Sequence, residues 1–170
     1  MTKILYVKSA RKIIQNKREL EDKLKVVISV KGINTIIDSE KEIDEYFASR
    51  VIQAMDFPFL IDDALMLKSE DFSFKVINIK DYTRRHDMKV IKGRIIGTKG
   101  KTLRVLSDLT RCEFALKDNE VAIIGRVEDV QKAEQAIISL IRGSKQGNVY
   151  AYLEGLNRVR RKEKNKDKFI

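Results

Sequence analysis

The stretch R-I-I-G-T-K-G-K-T, residues 94–102, decides how this chain is read. Gly97 and Gly100 bracket Thr98 and Lys99, with Ile95 and Ile96 before them and Lys101 after. The chain has only 8 glycines in 170 residues, so two within four positions mark an unusual backbone. Glycine reaches positive φ at little steric cost and lets another backbone come close. The flanking segments 88–96 and 101–110 both read as short helices, the second with Leu103, Leu106 and Thr110 at helical spacing. Such a corner sets the free N–H groups and dipole of the second helix beside Lys99 and Lys101, which favours an anion.

Two nucleotide-binding motifs fail here at the same position. An ATPase phosphate loop needs Gly-x-x-x-x-Gly-Lys-Ser/Thr after a strand. Gly100, Lys101 and Thr102 supply its end, but Ile95 stands where the first glycine belongs, and the preceding segment reads helical. A dinucleotide fingerprint also needs glycine at 95. A plain turn between helices stays open on these residues alone, although one glycine would serve it.

Outward from the corner, F-S-F-K-V-I-N-I (72–79) alternates like a strand. C-E-F-A-L-K-D-N-E-V-A-I-I (112–124) reads as a hairpin turning at Lys117-Asp118-Asn119. Residues 128–142 form a helix with Val130, Ala133, Ile137, Leu140 and Ile141 on one stripe, ended by Gly143. The order is β-α-α-β-β-α. The upstream half repeats it loosely: a helical 9–23, broken or whole, then strands 24–30 and 34–38 around Lys31-Gly32. A helix over 40–55 follows, capped by Ser39, with Ile43, Phe47, Val51 and Ala54 inward. Phe47, Val51, Ala54 and Met55 precede Ala133, Ile137, Leu140 and Ile141 by 86 residues each, an internal repeat. Residues 1–31 hold no glycine, so the first copy has no Gly-x-x-Gly turn. The only proline, Pro58, precedes a helical L-I-D-D-A-L-M-L-K and marks the boundary. The expected division is an α+β domain over 1–57, a linker with a short helix over 58–71, a second α+β domain over 72–155 and a basic tail over 156–170.

Hydrophobic residues make up 43% of the chain, enough for a folded core. Net charge is +10, unevenly spread. Residues 75–111 carry eleven Lys/Arg against three Asp, and 156–170 carry seven against two acids. Residues 38–71 reverse this, with three Lys/Arg against ten acids. Scattered lysines only aid solubility, but segregated blocks around the glycine corner point to a polyanionic partner. Apolar runs are too short to span a bilayer, and the charged start M-T-K-I-L-Y-V-K reads as no secretory signal. Cys112 is the single cysteine, which excludes an internal disulfide and fits a cytoplasmic location with no membrane partner. The one histidine, His86, has no neighbouring cysteine for a zinc site. The carboxylate pairs Asp44-Glu45 and Asp62-Asp63 read as solvated. No catalytic residue, metal or cofactor is expected.

Ile95-Ile96-Gly97-x-x-Gly100-x-x-Leu103, at a junction of two helices within β-α-α-β-β-α, resembles the type I KH domain over residues 72–142. The resemblance implies two type I KH-like domains, the first degenerate and without the glycine loop. It implies that the loop clamps the backbone of about four single-stranded nucleotides while bases enter an apolar groove. The groove walls would be one of Ile95 or Ile96, Leu103, and residues near Phe114. Arg94 and Arg104 flank the clamp as phosphate contacts or solvated helix charges, and Arg111 resembles the family's arginine after the second helix. Tyr150 and Tyr152 either pack the tail or stack on a base.

The likeness runs further. D-A-L-M-L-K-S-E-D-F-S-F-K-V-I-N-I-K-D-Y, then L-T-R closing the second helix, I-I-G ending the third strand and L-I-R-G-S-K-Q-G-N-V-Y-A-Y-L after the last helix are similar to the archaeal-type partner-of-Nob-one family, also called Dim2. This implies an RNA-binding, non-enzymatic ribosome biogenesis factor that holds pre-rRNA near the 3′ end of the small-subunit RNA. It implies as partners the endonuclease that matures that end and other ribosome assembly or translation initiation factors. The Thr98-Lys99 loop and the helix L-R-V-L-S-D-L-T-R depart from the family's usual form, and the tail matches no motif. The Krr family of ribosome assembly factors and a general single-stranded-RNA adaptor in RNA turnover remain as alternatives.

Overall fold

Two hairpins of the same design anchor the architecture. In the computed structural model, which describes residues 2–168, β2 (Val27–Lys31) and β3 (Asn34–Asp38) pair from Val27↔Asp38 to Lys31↔Asn34. β5 (Glu113–Lys117) and β6 (Glu120–Arg126) pair from Glu113↔Ile124 to Lys117↔Glu120. Each two-residue turn opens on a left-handed residue, Gly32 at φ 63° and Asp118 at φ 53°. The helices before the hairpins, α2 (Lys17–Leu24) and α6 (Lys101–Thr110), end on left-handed Lys25 and Arg111. All these pairs stand 86 residues apart, so the repeat read from helix residues also governs turns and caps.

The first strands, β1 (Thr2–Tyr6) and β4 (Phe72–Asn78), lie closer in sequence. Tyr6 pairs with Asn34 and Asn78 with Glu120, which puts equivalent strand residues 72 apart. The second half therefore inserts 14 residues between its first and second strands. The insertion covers a 3₁₀ turn at Ile79–Tyr82 and the glycine corner between α5 (Met88–Ile96) and α6. In the first half α1 (Ala10–Gln15) meets α2 at Asn16 with ordinary negative φ and no such loop. Each half closes with a long helix, α3 (Glu42–Met55) and α7 (Val127–Ile141), and each sheet is antiparallel with its last strand central. This is the expected β-α-α-β-β-α order, twice.

Strand β6 reads V-A-I-I-G without alternation because both of its faces are buried. Val121 and Ile123 meet Ile91, Ile95, Leu106 and Ile137 on the helical side. Ala122 and Ile124, with Phe72, Phe74 and Val76 of β4, join the core of the first half through Phe57, Phe59 and Leu67. The linker is thus packed: α4 (Ile61–Leu65) and a 3₁₀ turn at Met66–Lys68 lie between α3 and the second sheet. Lys117 reaches back to Asp56 at 2.8 Å, and the Lys12 ammonium donates to Phe57 O at 3.0 Å and to Phe59 O. Burial of Lys12 lowers its pKa. Arg50 of α3 donates to the carbonyls of Leu67 (3.2 Å), Ser69 (3.4 Å) and Phe72. Arg50→Ala leaves these part-buried acceptors without their donor and is expected to cost about 2 kcal/mol, read as a lower urea midpoint.

Three details differ from the sequence reading. Helix α3 starts at Glu42 with Lys41 in the cap position, and the Ser39 hydroxyl instead accepts from the Lys41 amide at 3.2 Å. Ile43, expected inward, lies in the first turn and is 49% exposed; the buried stripe is Ala48, Val51, Ile52, Ala54 and Met55. The basic segment continues a helix, α8 (Gln146–Asp167). Its anchors are Val149, Leu153, an Asn157 bond to Leu109 O at 3.0 Å and an Arg160–Asp129 pair at 2.9 Å. Met1, Phe169 and Ile170, included in the expected domain and tail, lie outside the described residues. Among the described residues no helix is long and apolar enough to cross a membrane.

Candidate nucleic-acid interface

Helix α5 opens where the Asp87 carboxylate accepts from the Val90 amide at 3.3 Å, and it ends at Gly97, whose N–H bonds Gly93 O at 2.8 Å. One 3₁₀ turn, Thr98–Gly100, then leads into α6. Gly97 (φ 75°, ψ 173°), Lys99 (φ 54°) and Gly100 (φ 74°) all have positive φ.

The two glycines serve different ends. A β-carbon on Gly97 would fall 2.6 Å from the Thr102 amide nitrogen and closer still to its hydroxyl, so the corner closes on itself there. A β-carbon on Gly100 would meet nothing within 4 Å; this glycine supplies φ and an open surface. The sequence reading assigned a flush outer surface to both, and the structure leaves that role to Gly100. Lys99 holds the left-handed conformation with a full side chain, at a cost of roughly 1–2 kcal/mol. The Arg104 guanidinium holds it there by donating to Lys99 O at 3.1 Å.

The corner leaves donors free. Gly100 N–H goes to Gly97 O and Lys101 N–H to Thr98 O, but among the described residues the amides of Thr98 and Lys99 reach no acceptor. The side chains of Thr98, Lys99 and Lys101 are exposed around them. An anion here meets two N–H groups, two ammonium groups and the N-terminal dipole of α6.

The isoleucine pair divides cleanly. Ile95 is fully buried in the second core, while Ile96 stays partly exposed. Leu103 in the first turn of α6 and Phe114 on β5 are also partly exposed, and α6 packs against both α5 and β5. Ile96, Leu103 and Phe114 are thus apolar side chains of α5, α6 and β5 that stay partly exposed. Of the arginines, Arg94 donates to Ser144 O at 2.6 Å and Arg104 to Lys99 O, while Arg111 is exposed at the left-handed end of α6.

Gln146, which no local pattern singled out, ties this region together. Its amide nitrogen donates to Arg94 O at 2.8 Å and to Thr102 Oγ1 at 2.9 Å, so the start of α8 holds both helix ends that border the corner. The partners lie 52 and 44 residues away, beyond the reach of periodicity or capping signals. Gln146→Leu is expected to cost about 1–2 kcal/mol and to speed hydrogen exchange of the Gly97 and Thr102 amides. Cys112 is fully buried, and burial pushes its thiol up to about 12, which keeps it protonated and unreactive. His86 is exposed.

Known proteins resemble this chain in sequence and fold. The family model for the second KH domain of PNO1, a eukaryotic-type (type I) KH domain, matches residues 73–158. A KH domain-containing protein of Methanocaldococcus jannaschii is 34% identical over 144 residues, 81% of this chain and 63% of that protein. The pre-rRNA-processing protein PNO1 of Candida albicans is 34% identical over 106 residues, 60% of this chain and 38% of that protein. The chain thus spans less than two thirds of the length of these curated relatives. The crystal structure of Dim2p from Pyrococcus horikoshii superposes with a TM-score of 0.83 at 28% identity, covering 91% of this chain and 98% of that one. The a/eIF2α–aDim2p–rRNA complex from the same organism contains a chain that superposes with a TM-score of 0.85 at 27% identity, covering 93% and 94%. The glycine corner falls inside the matched span, in a topology these proteins share, and the chain belongs to the PNO1/Dim2 family of KH-domain proteins.

Proposed function

We propose that this protein binds single-stranded RNA at the corner between α5 and α6 and acts in small-subunit ribosome biogenesis, holding pre-rRNA near the 3′ end of the small-subunit RNA. The observation that carries this reading is the pair of unpaired amides at Thr98 and Lys99 on an exposed, cationic corner. Thr98, Lys99, Gly100 and Lys101 take backbone phosphates. Ile96, Leu103 and Phe114 accept bases. Arg104 steadies the corner, and Arg111 adds charge at the far end of α6. Ile95 supports the wall from the core, and Arg94 ties α5 to the start of α8.

Support for the cellular role comes from the relatives: one is named a pre-rRNA-processing protein, and a structural neighbour was solved with rRNA and a/eIF2α. On this reading the protein works in the cytoplasm by positioning and not by catalysis. Its protein partners are an initiation factor and the endonuclease that matures the rRNA 3′ end. Crosslinking and sequencing of the bound RNA tests it. Reads should converge near the small-subunit 3′ end; an even spread over cellular RNAs would replace it with the general adaptor. Binding to a short single strand should weaken with salt, with a log–log slope near −3 if about four phosphates are neutralised.

A further inference from the structure

Helix α8 starts beside the glycine corner and carries a row of cations away from it. One side of the helix is spent on the protein. Val149 and Leu153 are buried, Asn157 donates to Leu109 O, and Arg160 pairs with Asp129 at 2.9 Å and Glu128 at 3.6 Å. At about 3.6 residues per turn, Arg158, Arg161, Lys162 and Lys166 fall away from that side, within an arc of about 140°. All four are exposed, and among the described residues none has a hydrogen-bond or ion-pair partner. Asn165 shares the arc, while the acids Glu163 and Asp167 lie outside it. At about 1.5 Å per residue, the row begins about 18 Å from Gln146 and runs to about 30 Å.

This end of the helix is poorly made to stand alone. From Arg158 to Lys168 every charged pair four residues apart repels: Arg158–Lys162, Arg160–Lys164, Lys162–Lys166, Glu163–Asp167 and Lys164–Lys168. Opposite charges meet three apart, each time through Glu163 or Asp167. Like charges at the four-residue spacing weaken a helix in water. Residues 161–168 are exposed all round, so no packing offsets that repulsion. A polyanion laid along the arc would offset it by neutralising the cations.

The arc offers charge and little else. Val159, 55% exposed, is the one apolar side chain from Asn157 to Lys168, so this end has no apolar face to bury in a bilayer. No aromatic residue occurs from Leu153 to Lys168. The aromatic residues of α8, Tyr150 and Tyr152, stand at its other end, and Tyr150 lines a cleft with Gly97 and Thr98. Single strands are held by stacking as well as by charge. A duplex keeps its bases inside and shows closely spaced phosphates. A fixed row of cations without a stacking surface suits the duplex.

We propose that the outer face of α8, through Arg158, Arg161, Lys162 and Lys166, binds the phosphates of a double-stranded RNA segment separate from the strand at the corner. The proposal goes beyond the single-strand reading and rests on it only for the class of polymer, RNA.

The test measures anisotropy, over a range of salt, of a labelled RNA duplex of about 16 base pairs and of a single strand of about four nucleotides. With Arg158, Arg161, Lys162 and Lys166 all changed to Gln, the duplex should bind at least about tenfold more weakly and its log–log salt slope should fall by about 3–4. The single strand should bind as before. Glutamine is a good helix former and removes the like-charge pairs, so this variant keeps α8, which circular dichroism checks. A control with Lys3, Lys8, Lys31 and Lys68 changed to Gln removes the same charge from exposed positions in the first half and should bind duplex nearly as well as the unaltered protein. Duplex binding should also slow hydrogen exchange of the amides of residues 161–168. The proposal falls if the α8 variant binds duplex normally, or if the control weakens it equally. It falls too if poly-glutamate displaces the duplex as readily as unlabelled duplex does, which would mark a surface for an acidic protein. Aspartates at Thr98 and Lys99 should abolish single-strand binding and keep duplex binding; loss of both places the duplex at the corner and overturns the proposal. Failure of the corner reading shows separately, as an unaltered protein that binds the duplex and not the single strand.

Discussion

Aspartates at both Thr98 and Lys99 should lower affinity for single-stranded RNA at least about a hundredfold while the protein stays folded. The double change moves the corner's charge by three units, from one cation to two anions, where phosphates would sit. The new carboxylates can also accept from the free amides of Thr98 and Lys99, as aspartate does in turns, and so occupy the anion position from within. The fold has reasons to survive. Both side chains are exposed, aspartate tolerates positive φ better than lysine, and negative charge at the start of α6 suits its dipole. Anisotropy with a labelled single strand gives the affinity, and circular dichroism with thermal melting checks the fold. Unchanged affinity in a folded variant would remove the corner from the binding surface.

Alanine at Gly97 should destabilise the protein by about 3 kcal/mol or more, and alanine at Gly100 by only about 1 kcal/mol. Gly97 occupies φ 75° with ψ 173°, a region essentially reserved for glycine. Its β-carbon would also press on the Thr102 backbone, which is fixed in the first turn of α6 and cannot swing aside as the tip of a side chain could. Gly100 lies at φ 74°, ψ 14°, where alanine pays only the left-handed penalty, and its β-carbon would enter open space. Urea unfolding of the two variants gives the comparison. Equal costs would show that the corner does not close on Thr102. The Gly100→Ala protein, still folded, also places a methyl group on the surface proposed for RNA and should bind it more weakly.

The corner was legible because its signals are local. Helices 88–96 and 101–110 have the bounds that periodicity and the glycine pair predict. The hairpin turns and the 86-residue repeat follow from residues near one another or from simple spacing. The division of labour between Gly97 and Gly100 was not legible, since it depends on where the chain brings Thr102. Nor was the choice between Ile95 and Ile96, adjacent apolar residues at the end of one helix. Residues after 156 read as a charged tail because lysines mask a helical stripe; Asn157 and Arg160 dock that helix on partners 48 and 31 residues back.

By itself, then, the amino-acid order determined the element sequence, the repeat, the cationic corner and the left-handed backbone at its glycines. These follow from φ preferences, capping and short-range periodicity, which act over a few residues. Only the tertiary structure decided which apolar face each element buries, that the linker covers the back of the second sheet, and that Gln146 and Tyr150 stand beside the corner. Those outcomes depend on partners tens of residues away, and burial against a distant element leaves no mark on the local pattern of the residues that share it.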